Sequence, residues 1–177
     1  MEGIFDLRRA RGHRRCVAHS APSAPDRISL QRTLQEAQAR AEAVGERFTQ
    51  PRQRVLRLLL EAGRPLKAYD VIAATGRDGS QANPPTVYRA LEFLTRLGLV
   101  HRIESDASYV VCSHSGHGHV HTPLMMVCDR CGTVAETRLE DIDTTARQAA
   151  ATQGFVLERL VVEARGLCAA CAGAGAA

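Results

Sequence analysis

No apolar run in this chain approaches the roughly 18 residues needed to cross a bilayer, so no membrane-spanning segment and no membrane partner are expected. The arginine-rich opening, Met1 to Ser20, lacks the apolar core of a secretory signal, and Glu2 and Asp6 argue against a transit peptide. Also missing are the H-E-x-x-H pattern of zinc proteases and the H-x-E…P-C-x-x-C pattern of zinc deaminases. A hydrolytic zinc enzyme needs three protein ligands, an open coordination position and a nearby base. Without such a pattern, no enzymatic activity, no catalytic residue and no small organic substrate are expected. No internal repeat is visible either.

What is present is ordinary in bulk and uneven in detail. With 177 residues, 45% hydrophobic and 24% charged, the chain can bury a real core in one domain or two small ones. Residues 1–112 carry 18 Lys+Arg against 12 Asp+Glu, whereas residues 113–177 carry 5 against 7. That asymmetry directs any polyanion contact to the first half. Residues 1–27 supply +3 of the excess, and a solvated basic tail often binds nothing.

Four of the six cysteines fall in two C-x-x-C pairs, Cys128/Cys131 and Cys168/Cys171. In a chain without a signal peptide this usage favours metal over disulfide. Two residues between cysteines let both thiolates reach one tetrahedral ion from a turn, and two such pairs complete a closed set of four. The 36 residues between the pairs exceed the usual ribbon or finger spacing. Such a site would staple a strand-helix-strand unit end to end, with a structural role. Buried free cysteines or a redox dithiol are the alternatives. Cys16, in the arginine-rich segment, reads as a bystander.

A second set is looser: His101, Cys112, one histidine from the run His114, His117, His119 and His121, and Glu136. Each has an ordinary reading as a surface histidine, a buried cysteine or a solvated carboxylate. Together they can surround a second metal, and the cysteine favours zinc over iron or manganese. Because these ligands come from both halves of the chain, a metal there would fix one half against the other.

Along the chain, residues 1–27 look like a disordered arm. Leu30, Leu34, Ala37 and Ala41 repeat with helical spacing up to Gly45. Thr49 is placed to cap a second helix, with Pro51 in its first turn and an apolar side of Val55, Leu56, Leu59 and Leu60 ended at Gly63. A short third helix spans Ala68 to Thr75. Pro84-Pro85 opens a fourth, Thr86 to Leu97, which Gly98 stops. Its outer face offers Arg89 and Arg96, with Thr86 and Tyr88 near the start. Arginine pairs bidentately with guanine in the major groove, and Tyr and Thr hydroxyls suit phosphates. Tyr69 on the third helix is a further candidate contact.

Leu99 to Ile103 and Tyr109 to Cys112 read as a hairpin, so the unit is a winged helix-turn-helix. Leu124 to Cys128 and Thr133 to Arg138 read as strands, Asp141 to Gln153 as a helix, and Phe155 to Ala164 as an alternating strand. The fold class is α+β: a winged-helix domain at 28–112, a hinge loop at 113–123, an α/β domain at 124–171, and a disordered tail at 172–177.

Five segments in order carry a family resemblance. They are Thr49-Gln50-Pro51-Arg52-Gln53-Arg54, Ala68-Tyr69-Asp70, Pro84-Pro85-Thr86-Val87-Tyr88-Arg89-Ala90-Leu91, Val127-Cys128-Asp129-Arg130-Cys131-Gly132 and Gly166-Leu167-Cys168-Ala169-Ala170-Cys171. Over about residues 30–171 the chain resembles the ferric uptake regulator (Fur) superfamily, most of all its zinc uptake regulator (Zur) branch. The resemblance implies a bacterial, cytoplasmic, homodimeric repressor whose C-terminal domain dimerises and whose corepressor is zinc. It implies two Zn²⁺ per chain and double-stranded DNA as partner, at AT-rich palindromic operators before zinc-uptake genes. The structural site then falls on Cys128, Cys131, Cys168 and Cys171. The regulatory site falls on His101, Cys112, His121 and Glu136, with His117 and His119 as rivals to His121. DNA contacts fall on Arg89, Tyr69, Tyr88, Thr86 and Arg52. Two alternatives are an iron, manganese or peroxide sensor of the same superfamily and a zinc-ribbon interaction module without DNA binding. Cys112, and the lack of a His-His-x-His run before the hinge, count against the former.

Overall fold

The structure, a computed structural model, describes residues 27–76, 83–113 and 122–173. The 1–27 arm, but for Arg27, and most of the 113–123 hinge lie outside the described residues.

The first half is helical and built on one apolar cluster. Helix α1 (Arg27–Ala43) buries Ala37 and Ala41, small residues that let α2 (Gln50–Ala62) approach closely. Thr49 takes the N-cap position with an extended backbone, but its side chain makes no capping bond. Pro51 has no N–H, so of the two amides a cap can bind only that of Arg52 remains. Gly63 ends α2 in the left-handed region, φ 57°, donating to the carbonyls of Leu59 and Leu60. Next come β1 (Leu66–Lys67), α3 (Ala68–Thr75) and α4 (Pro84–Arg96). The inner face of α4, Val87, Ala90, Leu91, Phe93 and Leu94, fills the centre of the cluster.

The wing is a three-stranded antiparallel sheet. Strands β2 (Val100–Ile103) and β3 (Ser108–Val111) pair in the expected hairpin, and β1 adds to the other edge of β3, giving the order β1-β3-β2. With only two residues, β1 has no period for sequence reasoning to detect.

In the second half, β4 (Pro123–Cys128) lies between β5 (Val134–Arg138), antiparallel, and β6 (Val162–Gly166), parallel. Helix α5 (Ile142–Thr152) makes the crossover and α6 (Ala169–Gly173) closes the described chain. The expected strand over Phe155 to Ala164 is shorter in the structure. Its ladder begins only at Leu124↔Val162, and β4 starts at Pro123, opposite Val161, so residues 155–160 have no strand opposite them. Phe155 and Val156 are left 73% and 87% exposed, and no residue of α5 is buried. The residues expected as a tail begin inside α6, which carries Ala172 and Gly173. A small second cluster, Ile103, Met125 and Val127 with Val110 and Val134, joins the wing to the second sheet.

Two candidate metal centres and a candidate nucleic-acid face

The parallel pairing of β4 with β6 places Cys128 opposite Gly166, so the turn after β4 and the segment after β6 meet. Cys128 and Cys131 flank that turn, which Gly132 completes at φ 71°; Cys168 precedes α6 and Cys171 lies within it. One ligand atom from each of the four cysteines lies within 4.8 Å of all the others. The Sγ atoms of Cys131 and Cys168 are 3.7 Å apart. A tetrahedral zinc with Zn–S bonds of about 2.3 Å requires about 3.8 Å between sulfurs, whereas a disulfide requires about 2.0 Å. The donor set therefore fits a closed tetrathiolate zinc site.

The local electrostatics suit thiolates. Burial acts to raise the Cys128 thiol, but backbone N–H groups of Cys168, Cys131 and Arg130 outweigh it and bring its pKa down to about 6. The Cys168 amide donates to Cys128 Sγ at 3.4 Å. Cys131 is lowered chiefly by the Thr133 hydroxyl, 3.2 Å away. Arg130 spans the turn to the carbonyl of Cys171.

The second centre lies at the joint between the halves. His101 on β2, Cys112 just past β3 and Glu136 on β5 bring one ligand atom each within 4.8 Å of one another. Glu136 Oε1 is 3.3 Å from His101 Nε2 and 3.5 Å from Cys112 Sγ. Tetrahedral zinc with usual bond lengths places N and O about 3.4 Å apart and S and O about 3.6 Å apart. These two spacings match edges of a zinc tetrahedron, on side chains only 14% (His101) and 5% (Glu136) exposed. Cys112 is buried as well. The fourth donor expected there, His121 or its rivals His117 and His119, lies outside the described residues.

Sequence reasoning missed the residue that orients Glu136. Ser113 donates to Glu136 Oε2 from both its backbone N–H, at 2.7 Å, and its hydroxyl, at 2.8 Å. With Oε2 held, Oε1 faces the other two donors. A serine beside a cysteine carries no signal of this in the sequence, because the contact depends on how β5 packs against the wing.

On the winged helix, Tyr69 on α3 and Tyr88 on α4 stand 77% and 52% exposed, with Arg89 exposed and Thr86 half-buried at the start of α4. Asn83 receives the first amides of α4 on its carbonyl, and its side chain makes no cap. Arg52 is placed differently from these four. Its guanidinium carbon sits 3.4 Å from the centroid of the Phe93 ring, and Nη2 pairs with Glu46 at 3.2 Å. Arg96 pairs with the same carboxylate at 2.6 Å. The Arg96 hydrogen bond, helped by Arg52, holds Glu46 below the usual carboxylate range. Arg52 and Arg96 are therefore braced within the fold, whereas Arg89 projects outward.

Comparison with known proteins agrees with this geometry. The sequence model of the ferric uptake regulator family matches residues 43–165. The zinc uptake regulation protein of Escherichia coli (strain K12) is 44% identical over 143 residues, covering 78% of this chain and 83% of that protein. The ferric uptake regulation protein of Bordetella parapertussis is 30% identical over 136 residues, covering 76% of this chain and 95% of that protein. Among solved structures, a zinc uptake regulator complexed with zinc and DNA superposes with a TM-score of 0.78 at 40% identity, covering 84% of this chain and 99% of that one. The crystal structure of holo XcZur gives 0.71 at 35% identity, covering 79% and 96%.

Proposed function

This chain belongs to the ferric uptake regulator family, and from that premise we propose that it is a zinc-responsive, DNA-binding transcriptional repressor of zinc-uptake genes. It acts by binding and not by catalysis, as a homodimer in the bacterial cytoplasm. The observation that carries the reading is the second donor set: two of its members ride on the wing and one on the second sheet, so any metal there ties the DNA reader to the rest of the molecule.

In this reading the functional units are a winged-helix domain at 28–112, a hinge at 113–123 and a dimerisation domain at 124–171. Cys128, Cys131, Cys168 and Cys171 hold a permanent zinc that staples the dimerisation domain. His101, Cys112, Glu136 and a hinge histidine, His121 first, hold a regulatory zinc. A borderline-soft donor set with a thiolate favours zinc over iron or manganese. Homodimer formation is supported by the uncovered side of α5 and the bare apolar segment at Phe155 and Val156, which one chain alone leaves in water.

Bound at the second centre, zinc supplies bonds that bridge the two halves and favour one arrangement of the paired winged helices. The competent arrangement sets them at the roughly 34–36 Å repeat of successive major-groove half-sites. Moving the population from 1:99 to 99:1 takes ~5.5 kcal/mol of differential binding. Linkage requires operator DNA to tighten this zinc equally. Arg89 reads bases of an AT-rich palindrome, while Tyr69, Tyr88 and Thr86 position the phosphate backbone; Arg52, engaged by Glu46 and the Phe93 ring, braces α2 against α4 behind them. Gel-shift titration with Zn²⁺, Fe²⁺ and Mn²⁺ under reducing conditions tests the assignment. Zinc acting at the lowest concentration is expected; a stronger response to iron would overturn it.

A further inference from the structure

The row of residues crossing the second sheet at Met125 does more than supply one metal ligand. Met125 is paired with Glu136 on β5 and with Glu163 on β6. Residues opposite one another in a sheet point to the same face, and here that face meets the wing. Met125 packs beneath Ile103 in the joint cluster. Glu136 reaches His101 and Cys112 at one end of β2. Glu163 reaches the other end. Its Oε1 accepts the Glu104 N–H, and its Oε2 accepts the Ser105 N–H at 3.1 Å. Glu104 in turn spreads its carboxylate between Arg102, at 3.2 Å, and Arg159 of the second half, at 2.6 Å. Strand β2 is thereby held at two points about 10 Å apart, three residues at a rise of ~3.3 Å each.

We propose that Glu163 is a positioning residue of the zinc switch: a metal-independent clasp that fixes the wing tip on β6, so that the regulatory zinc closes a joint already held at its far end. One attachment leaves the wing free to pivot; two set its direction. Two successive backbone N–H groups converging on one carboxylate form an anion nest, which a neutral or shorter side chain fills poorly. Burial pushes the Glu163 carboxyl up, but the donors at Ser105 and Glu104, with Arg165 nearby, outweigh this and keep it below the usual range. The clasp is therefore ionised at neutral pH. None of its atoms belongs to either donor set, so it alters zinc affinity only through the arrangement of the two halves.

The inference rests on the zinc-switch reading above, and its test separates the two. In the full-length protein, Glu163→Ala and Glu163→Gln are compared with the unaltered chain for zinc per chain, second-zinc affinity by chelator competition without DNA, and DNA affinity at limiting zinc. Both variants should keep the same zinc content at saturation. Glu163→Ala should bind the second zinc about tenfold more weakly, as for losing charge-assisted bonds to a half-exposed carboxylate, and DNA binding should shift to higher zinc in step. Glu163→Gln, keeping one acceptor oxygen, should fall between. Should Glu163→Ala fail to fold, Glu163→Gln and Arg159→Ala, which removes the Glu104 ion pair, carry the same test with smaller shifts. A lower melting temperature with unchanged second-zinc affinity would overturn the clasp. An unaltered protein whose DNA binding ignores zinc would instead overturn the switch itself.

Discussion

Replacing Ser113 by alanine removes a hydroxyl that belongs to neither donor set, yet it should loosen the second metal centre. Glu136 Oε2 is held by two donors from Ser113, the amide at 2.7 Å and the hydroxyl at 2.8 Å, while Oε1 faces His101 and Cys112. Ser113→Ala keeps the amide and deletes the hydroxyl. A hydrogen bond to an ionised carboxylate contributes about 1.5–3 kcal/mol; Glu136 is almost fully shielded from solvent but Ser113 is exposed, so the lower end of that range applies. Since 1.4 kcal/mol is a factor of ten, the second zinc should bind about tenfold more weakly, the low end of the range for losing a partner behind a metal ligand. The structural zinc, more than one element away on the turn after β4, should be untouched. The assay is competition against a graded series of zinc chelators, reading bound zinc per chain. Equal affinity in variant and parent, or loss of both zincs together, would refute the reasoning.

Three further outcomes follow from the same geometry. Cys112→Ser should abolish zinc-dependent DNA binding in gel shifts while size-exclusion chromatography still reports a folded dimer; unfolding would move Cys112 to a structural role. Arg89→Ala should weaken operator binding by about 1–3 kcal/mol and flatten discrimination between operator and mutated sites; an equal loss on all sequences would make it a phosphate contact. The pH dependence has a definite sign. The Cys128 thiol is lowered from 9.0 to about 6, so in the chelated protein the stability it contributes is present above the ordinary thiol pKa and is lost as pH falls through about 6. Thermal unfolding of the metal-free protein should therefore rise in midpoint from pH 6 to 9, and a falling midpoint would contradict the assignment.

The helical half was legible because its period is long and its punctuation explicit. Helix α3 runs over the expected Ala68–Thr75, and Gly63 and Gly98 close α2 and the α4 turn in left-handed conformations, as their positions suggest. The four-cysteine cluster was legible because thiolates at that spacing have few other uses. What failed was whatever depends on pairing register. Strand β1 was invisible at two residues, and the alternation of Phe155 to Ala164 promised a strand longer than its partner allows. Ser113 lies at neither a motif nor a periodic position, and Glu163, though inside the expected strand, carries no signal of what it touches. Only the row Glu136–Met125–Glu163, fixed by the β5-β4-β6 order, reveals that two carboxylates of the second half grip the two ends of one wing strand.

Zinc content per chain, measured before and after mild chelation alongside operator binding, bears most directly on the claim that one metal holds the fold and another operates it. Two zincs should fall to one with DNA binding lost and the dimer intact. Retention of operator binding by the one-zinc protein would contradict the account.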